Sequence, residues 1–276
     1  MIWALIIGLL LVIGFVLDRE VYFYEGVHLG PRVQAWLYDR WSKKYDEGKR
    51  ASQLQDDEML AGPLLEAVKE ISEPFVLDFA TGTGRLSCAL LNRPDFAGRI
   101  IALDLSQGML EQAASKLSKY QSAAAVELLR HPSLPLPFPD STFDVVCALE
   151  VLELFPGMEE PLRELERILR PGGILLTSRG TEESGRKARI KSKSEFVALL
   201  ESQGFESVEV AKWWRLFDRV TAVKSGSSQP VGPRRMADVL RCGSCGATQW
   251  KTNSGIWKCG VCGTERLMTS QGILLN

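Results

Sequence analysis

The chain has little histidine and little net charge. Among its 276 residues there are two histidines, His28 and His131, and a catalytic role is expected for neither. The net charge is −1 and charged residues make up 24% of the chain, so the composition gives no general character of a polyanion-binding protein, although a local basic patch stays open. This length suits one ordinary domain with appendages.

Charge is missing altogether from the first 17 residues, and the first charged side chain is Asp18. A helix from Trp3 to Tyr22 would rise about 28 Å, close to the thickness of a bilayer core, and aromatic residues stand at both ends as interfacial anchors would. We therefore predict a transmembrane anchor at residues 1–22. All Lys and Arg follow the uncharged residues 1–17, which predicts a single-pass membrane protein with a cytoplasmic body.

Two alternatives for the first 22 residues remain. A cleaved signal peptide would usually have a positive start and a small-x-small cleavage site, and neither is present. A buried helix of the main domain is disfavoured because the segment has no polar face.

The cysteines do not form a disulfide framework. Cys88 and Cys147 are isolated in apolar runs and are expected to be small buried residues. The other four form two C-x₂-C pairs separated by thirteen residues: Cys242, Cys245, Cys259 and Cys262. This arrangement predicts a tetrahedral zinc site in a zinc ribbon, and thiolates as ligands favour a reducing compartment.

A glycine follows each cysteine pair, at Gly246 and Gly263, and suits the tight turns that direct paired thiolates at one ion. A redox dithiol is the alternative. It is disfavoured because there are two pairs and neither opens a helix after a strand.

Between these ends, strand-like and helical patterns alternate. Apolar runs predict strands at 75–79, 99–104, 125–130, 143–149 and 173–179, and two closing strands at 205–212 and 216–224. Helical patterns fall at 33–45, 57–71, 84–91, 106–119, 158–169 and 193–203. This alternation predicts an α/β fold with a mainly parallel sheet and helices on both faces. We divide the chain into an anchor (1–22), a main domain (33–224), a linker (225–240) and a zinc ribbon (241–270).

Residues 75–84 form the most informative stretch. An apolar run contains Asp78 and ends in a turn with Gly82 and Gly84, the local design of a nucleotide-binding strand–turn–helix unit. A second run ends at Asp104, where an acid that accepts from ribose hydroxyls belongs. A glycine turn alone is weak evidence, and a dinucleotide site would prefer G-x-G-x-x-G.

The pattern Asp78-x-Ala80-x-Gly82-x-Gly84 resembles motif I of the class I S-adenosylmethionine (SAM) methyltransferases. Residues 136–146 resemble the LPFPD-x-x-FDVV segment of the subfamily that includes ubiquinone and menaquinone methyltransferases, and residues 169–173 resemble its L-x-PGG turn. The resemblance covers about residues 35–224 and implies a Rossmann-like sheet that binds SAM.

The resemblance also implies roles for single residues. Asp104 would accept from the ribose hydroxyls, and Leu105 and Met109 would flank the adenine. The methionine end of SAM would be lined by Asp78, Ala80, Thr81, Gly82 and Gly84. The acid that usually contacts the adenine amino group is replaced here by Pro132, which leaves the adenine contact open.

Residues 36–46 are similar to a Tyr-Asp-containing segment that covers the cofactor pocket in relatives, with ordinary core packing as the alternative. Glu150 and Glu153 follow the fourth strand, where relatives face their substrate, and Leu154 stands where many carry histidine. A solvated loop or a helix cap is an equal alternative for both glutamates, so no catalytic residue is predicted.

The sequence therefore leads to a membrane-anchored SAM-dependent methyltransferase acting on a small, lipophilic acceptor. An RNA methyltransferase guided by the ribbon is the first alternative, in which Trp250 and Trp257 would stack on bases or, equally, form the ribbon's core. A non-catalytic, membrane-tethered binding protein is the second. The basic run at 186–193 fits a solvated loop, an anionic lipid surface or nucleic acid.

Overall fold

The computed structural model describes residues 2–122, 125–132, 134–184 and 190–276. Its strands are β1 (Phe75–Phe79), β2 (Arg99–Asp104), β3 (Val126–Arg130), β4 (Phe143–Ala148), β5 (Leu169–Gly180), β6 (Phe205–Trp214), β7 (Phe217–Lys224), β8 (Trp250–Asn253), β9 (Ile256–Cys259), β10 (Glu265–Met268) and β11 (Ile273–Leu275). Its α-helices are α1 (Ile2–Tyr22), α2 (Pro31–Gln53), α3 (Gly62–Ala67), α4 (Arg85–Leu91), α5 (Gln107–Leu117), α6 (Glu159–Ile168), α7 (Lys193–Ser202) and α8 (Met236–Val239).

The predicted Rossmann-like α/β fold is confirmed. The strands form one sheet in the order β6-β7-β5-β4-β1-β2-β3-β11-β10-β9-β8. Strands β1 to β5 pair in parallel, and β7 runs antiparallel beside β5. Every residue of β1 and β4 is buried, as expected for central parallel strands that helices cover on both faces.

Most predicted boundaries lie within two residues of the observed ones. The helix predicted at 33–45 is an exception, because α2 continues to Gln53. Two other exceptions have local causes. Strand β5 begins at Leu169, four residues early, because Phe143 of β4 pairs with Leu169 across an irregularity in the ladder. The predicted helix at 57–71 is a short π-helix, Asp57–Ala61, followed by α3, and Pro63 lies in the first turn of α3, where proline is tolerated.

The predicted transmembrane anchor at 1–22 is not found. These residues are helical from Ile2 to Tyr22, but among the described residues no helix is long and apolar enough to cross a membrane. The last turns of α1 carry Asp18, Arg19 and Glu20, which leave an apolar stretch shorter than the roughly 20 residues of a typical span. Glu20 is buried and its carboxylate accepts from the backbone N–H of His28 at 2.9 Å.

The segment between the main sheet and the cysteines, expected to be a flexible linker, is held against the domain. The backbone N–H groups of Val231 and Gly232 donate to the carboxylate of Asp144, at 2.8 and 3.2 Å. Asp144 is fully buried and also pairs with Arg170 at 2.7 Å. Residues 236–239 form the short helix α8, whose Met236 and Val239 lie in the main core.

The cysteine-bearing segment extends the main sheet. Strand β11 pairs in parallel with β3, and β8 to β10 continue from it as antiparallel neighbours. Trp257 of β9 and Leu274 of β11 are buried in the same core as Phe138 and Leu129. Sequence patterns did not predict these strands, because three- and four-residue strands carry too little periodicity.

Candidate functional site

A cavity of about 320 Å³ opens where β1, β2, β3 and β4 end. Ligands in open α/β sheets bind outside these carboxyl ends. Its polar or titratable lining residues are Gln34, Tyr38, Tyr45, Asp104, His131, Glu150 and Glu160. Its apolar lining residues include Val27, Pro31, Phe79, Leu103, Met109, Leu134, Val151, Leu154, Phe155 and Pro156.

Asp78 holds the loop after β1 from beneath. Its Oδ2 accepts hydrogen bonds from the hydroxyls of Thr81 and Ser87, at 2.7 and 2.8 Å. Burial raises the pKa of Asp78, against the lowering effect of these two bonds. The loop itself needs left-handed backbone at Ala80 and Gly82, with φ of 55° and 56°. Asp78 therefore fixes the shape of a loop whose backbone faces the cavity.

Asp104 binds the same loop from β2. One carboxylate oxygen accepts from the N–H of Gly82 and the other from the N–H of Ser106, both at 2.8 Å. Burial raises the pKa of Asp104 to about 6. Each oxygen keeps a lone pair, so the ionised carboxylate can still accept from a hydroxyl in the cavity.

The predicted cofactor residues divide into three groups. Ala80, Gly82, Asp104, Leu105 and Met109 line the main cavity. Asp78 and Thr81 line a small neighbouring cavity that shares Ala80 and Gly82 with it.

Gly84 lines neither cavity and begins α4 with φ of 78°. A Cβ there would lie 3.2 Å from Cβ of Ala113 on α5, so glycine at this position serves the packing of α4 on α5. Whether any of these residues contacts a cofactor stays a prediction.

Helix α2 covers the cavity and is bound to the start of α5. Asp39 Oδ1 accepts from the Ser106 hydroxyl at 2.6 Å and from the Gly108 N–H at 2.8 Å. Ser106 in turn caps α5 by accepting from the N–H of Met109. The side chains of Tyr38 and Tyr45 line the cavity, and burial raises the pKa of both phenols.

A second acid on α2 binds the loop before α4. Asp46 Oδ1 accepts from the Thr83 hydroxyl at 2.6 Å, and Asp46 Oδ2 pairs with Lys116 at 2.9 Å. Single-residue reasoning missed Asp39 and Asp46. The signal was present, because the Tyr-Asp pairs 38–39 and 45–46 are seven residues apart and so recur on one helix face.

Glu150 lies at the end of β4 among cations. Its carboxylate pairs with Lys49 of α2 and, at 2.9 Å, with Arg85 of α4. Its backbone has φ of 53°, in the left-handed region that non-glycine residues adopt infrequently. Since two cations neutralise Glu150, it is poorly suited to act as a general base.

Of the other residues considered for catalysis, Glu153 and His28 lie outside the cavity wall and His131 lies in it. Glu153 is buried but does not line the main cavity. His28 pairs with Glu20 at 2.9 Å and does not line the cavity either. His131 lines it beside Pro132.

The four predicted metal ligands come together. Their sulfur atoms all lie within 4.8 Å of one another, and the pairs Cys242–Cys262 and Cys245–Cys259 are 3.6 Å apart. Zn–S bonds of about 2.3 Å in a tetrahedron place sulfurs about 3.8 Å apart, whereas a disulfide needs about 2.05 Å. The cluster therefore fits one zinc ion.

The turns around the cysteines agree with this geometry. Gly246 N–H donates to the carbonyl of Cys242 and Gly263 N–H to that of Cys259. Both glycines have φ near 75°, as the sequence predicted.

Two features bear on the alternative that the protein binds nucleic acid. Trp257 is 5% exposed, and the Trp250 indole N–H donates to the carbonyl of Leu240 at 2.7 Å, so both rings serve the core. Residues 186–189 of the basic run lie outside the described residues.

Comparison with known proteins supports the fold and the domain. Residues 77–177 match the family model described as "Methyltransferase domain". The chain is 32% identical over 140 residues to demethylmenaquinone methyltransferase of Lactiplantibacillus plantarum, covering 51% of this chain and 59% of that protein. It is 36% identical over 101 residues to the ubiquinone/menaquinone biosynthesis C-methyltransferase of an Enterobacter species, covering 37% and 40%.

The alignments thus cover about half the length of the curated relatives. Among solved structures, a SAM-dependent methyltransferase from Aquifex aeolicus matches with a TM-score of 0.55 and 21% identity, over 67% of this chain and 98% of that one. At this identity the likeness shows the fold alone. Together with the family match, it gives residues 77–177 the sequence pattern and the fold of a methyltransferase domain.

Proposed function

We propose that the protein transfers a methyl group from SAM to a small, lipophilic acceptor of the quinone type. The observation that carries this proposal is the cavity at the ends of β1 to β4. At one side it presents Ala80, Gly82 and Asp104, and elsewhere its walls are mostly apolar. Ligand sites commonly combine apolar walls with a few fixed polar groups. The names of the relatives favour a quinone acceptor.

SAM carries the reactive methyl group, so the protein's part is to orient the two reactants and exclude water. Helix α2 fits this part, because it covers the cavity and its Asp39 and Asp46 bind the two loops that would hold the cofactor. We assign no general base, since Glu150 is neutralised by Lys49 and Arg85.

We also propose that Cys242, Cys245, Cys259 and Cys262 hold one structural zinc ion. The support is the spacing of the four sulfurs. Unbridged thiolates are kept in reducing compartments, so a cytoplasmic location is part of this proposal.

Helix α1 offers a route by which a lipophilic acceptor could reach the cavity. Helix α1 exposes apolar side chains on all sides, such as Leu10 and Phe15, which are 62% and 65% exposed. The chain passes directly from α1 to Val27 and Pro31, which line the cavity. We propose that α1 contacts the lipid phase that holds the acceptor. This requires contact with lipid and no passage across it.

The test uses purified full-length protein with methyl-deuterated SAM and three acceptors: a long-chain demethylated quinol, its short-chain analogue and RNA fragments. Mass spectrometry should find the label in the quinol products. Label in RNA alone would move the assignment to the RNA enzyme, and no label with proven SAM binding would favour a binding protein.

A further inference from the structure

Asn276 connects the cysteine-bearing segment to the cavity. Its backbone N–H donates to the carbonyl of Arg130 at 3.1 Å and continues the pairing of β11 with β3. Its side-chain amide contacts Arg266 of β10 on one side, with 3.1 Å between Arg266 Nε and Asn276 Oδ1. On the other side Asn276 Nδ2 lies 3.0 Å from His131 Nδ1.

The hydrogen bonds that run from Arg266 through Asn276 to His131 fix the tautomer of His131. Arginine has no acceptor, so Arg266 donates to Oδ1 of Asn276, and the other end of the amide is the NH₂ donor. Nδ1 of His131 must therefore accept, which leaves the ring proton on Nε2. That Nε2–H donates to the carbonyl of Pro135 at 3.1 Å.

The imidazole so held forms part of the cavity wall. His131, Pro132 and Leu134 line the cavity, at the place where the acid that contacts adenine is missing from the sequence. The backbone N–H of His131 also donates to the carbonyl of Asp104 at 3.0 Å. A turn of the ring would break its contacts with Pro135 and Asn276.

We propose that Asn276 is a positioning residue that sets the orientation of His131 and so shapes the cofactor end of the cavity from the cysteine-bearing segment. The inference rests on the proposed function, because it takes SAM as the cavity's ligand. It gives the appended strands a role in cofactor affinity as well as in folding.

The matched change is Asn276→Asp, which keeps the shape and replaces the NH₂ donor with an acceptor. At pH 8 a neutral ring has one N–H for two acceptors, so it gives up either the bond to Pro135 or the contact with residue 276. We expect the affinity for S-adenosylhomocysteine, the demethylated product, to fall about tenfold. At pH 5.5 a protonated His131 can donate Nδ1–H to the introduced carboxylate, so the loss should shrink. In the wild type the same protonation places two donors together, so its affinity should fall.

Other groups near the ring also respond to pH or carry charge. They are Arg266 on β10, Arg130 on β3, Asp104 on β2 and Glu160 in the cavity wall. All are present in the wild type and in Asn276→Asp, so the ratio of the dissociation constant of the variant to that of the wild type at each pH removes their shared contribution.

The control is Asn253→Asp on the exposed strand β8, which does not line the cavity. It makes the same chemical change, and its dissociation constant should equal that of the wild type at both pH values.

The experiment is calorimetric titration of S-adenosylhomocysteine into each full-length, zinc-loaded protein at pH 8 and pH 5.5. A ratio near ten at pH 8 that falls at pH 5.5 supports the inference. A ratio that is the same at both pH values would overturn it, because that is the result of a merely structural defect. Failure of the wild type to bind would instead refute the proposed function.

Nitrogen NMR of the imidazoles keeps the inference testable if the variant does not fold. With two histidines in the chain, His28→Gln assigns both signals. His131 of the wild type should show the Nε2–H tautomer at pH 8. A Nδ1–H tautomer, or a mixture, would contradict the assignment.

Discussion

The carboxylate of Asp39 lies 2.8 Å from the backbone nitrogen of Gly108 and accepts its hydrogen bond. This contact joins α2 to the first turn of α5, and so joins the cover of the cavity to the helix that follows Asp104. A Cβ at Gly108 would lie 3.1 Å from Cα of Asp39 and 2.9 Å from Oγ of Ser42. The close approach of the two helices therefore requires glycine here.

We expect Asp39→Ala to lower the free energy of unfolding by about 1–3 kcal/mol, because the hydroxyl of Ser106 and the N–H of Gly108 lose their acceptor. Cofactor affinity should fall as well, since α2 would no longer be held over the cavity. Chemical denaturation and calorimetry measure the two effects. Asp39→Asn is the control, because its Oδ1 can still accept. Unchanged cofactor affinity in a folded Asp39→Ala protein would show that α2 does not cover the cofactor.

Cofactor binding should weaken as the pH falls through about 6. Burial raises the pKa of Asp104 from its ordinary 3.8 to about 6, and the protonated acid loses an acceptor for ribose hydroxyls. Asp104→Asn should remove most of this dependence and bind less well at pH 8. Titrations from pH 5 to pH 8 test this, and an Asp104→Asn protein with wild-type affinity at pH 8 would refute the ribose assignment.

Stability should change with pH in the direction that a raised carboxyl pKa requires. Between pH 3.8 and about 6 the folded state binds more protons at Asp104 than the unfolded state, so this group's contribution to the free energy of unfolding declines as the pH rises. Asp104→Asn is neutral and should lack that decline. Thermal unfolding of both proteins across this range measures the difference, and parallel curves would contradict the assigned pKa.

Cys259→Ser should lose zinc and also weaken cofactor binding. A flexible linker at 225–240 would instead make the zinc ribbon independent of the main domain. In the structure Trp257 is buried in the main core and β11 extends the main sheet, so release of the metal should loosen both. Elemental analysis and calorimetry on the same sample check this. Full cofactor affinity in the zinc-free protein would show that the cofactor site does not depend on the cysteine-bearing segment.

Deletion of residues 2–17 should reduce turnover of a long-chain, lipid-embedded acceptor and spare a short-chain, water-soluble analogue. The deletion keeps Glu20 and its contact with His28, so the cavity wall at Val27 stays in place. Leu9→Ser combined with Leu10→Ser and Leu11→Ser, all exposed on α1, is the matched change without deletion. Equal losses on both acceptors would show that α1 serves the fold.

The central sheet and the loop after β1 could be predicted because their signals are local. A five-residue run that contains Asp78 and is followed by Gly82 and Gly84 identifies a strand, a turn and a helix start within ten residues. Asp104 could be predicted in the same way, because it ends the next apolar run.

Contacts between distant segments could not be predicted in this way. Nothing local to Asn276 shows that it meets His131, and nothing local to Asp144 shows that it holds Val231 and Gly232. The prediction of a transmembrane span extended the helix to Tyr22, although Asp18, Arg19 and Glu20 end the apolar stretch at Leu17. The contacts of α2 with the starts of α4 and α5 are an exception, because the Tyr-Asp pairs that make them recur seven residues apart in the sequence.

The proposed function depends on the cavity being a SAM site, and one calorimetric titration tests this directly. We expect S-adenosylhomocysteine to bind the full-length, zinc-loaded protein at about one molecule per chain with micromolar or tighter affinity, about −8 kcal/mol or below. Asp104→Asn should weaken it at pH 8. The absence of binding to a folded wild-type protein, or equal affinity in both proteins, would contradict the account.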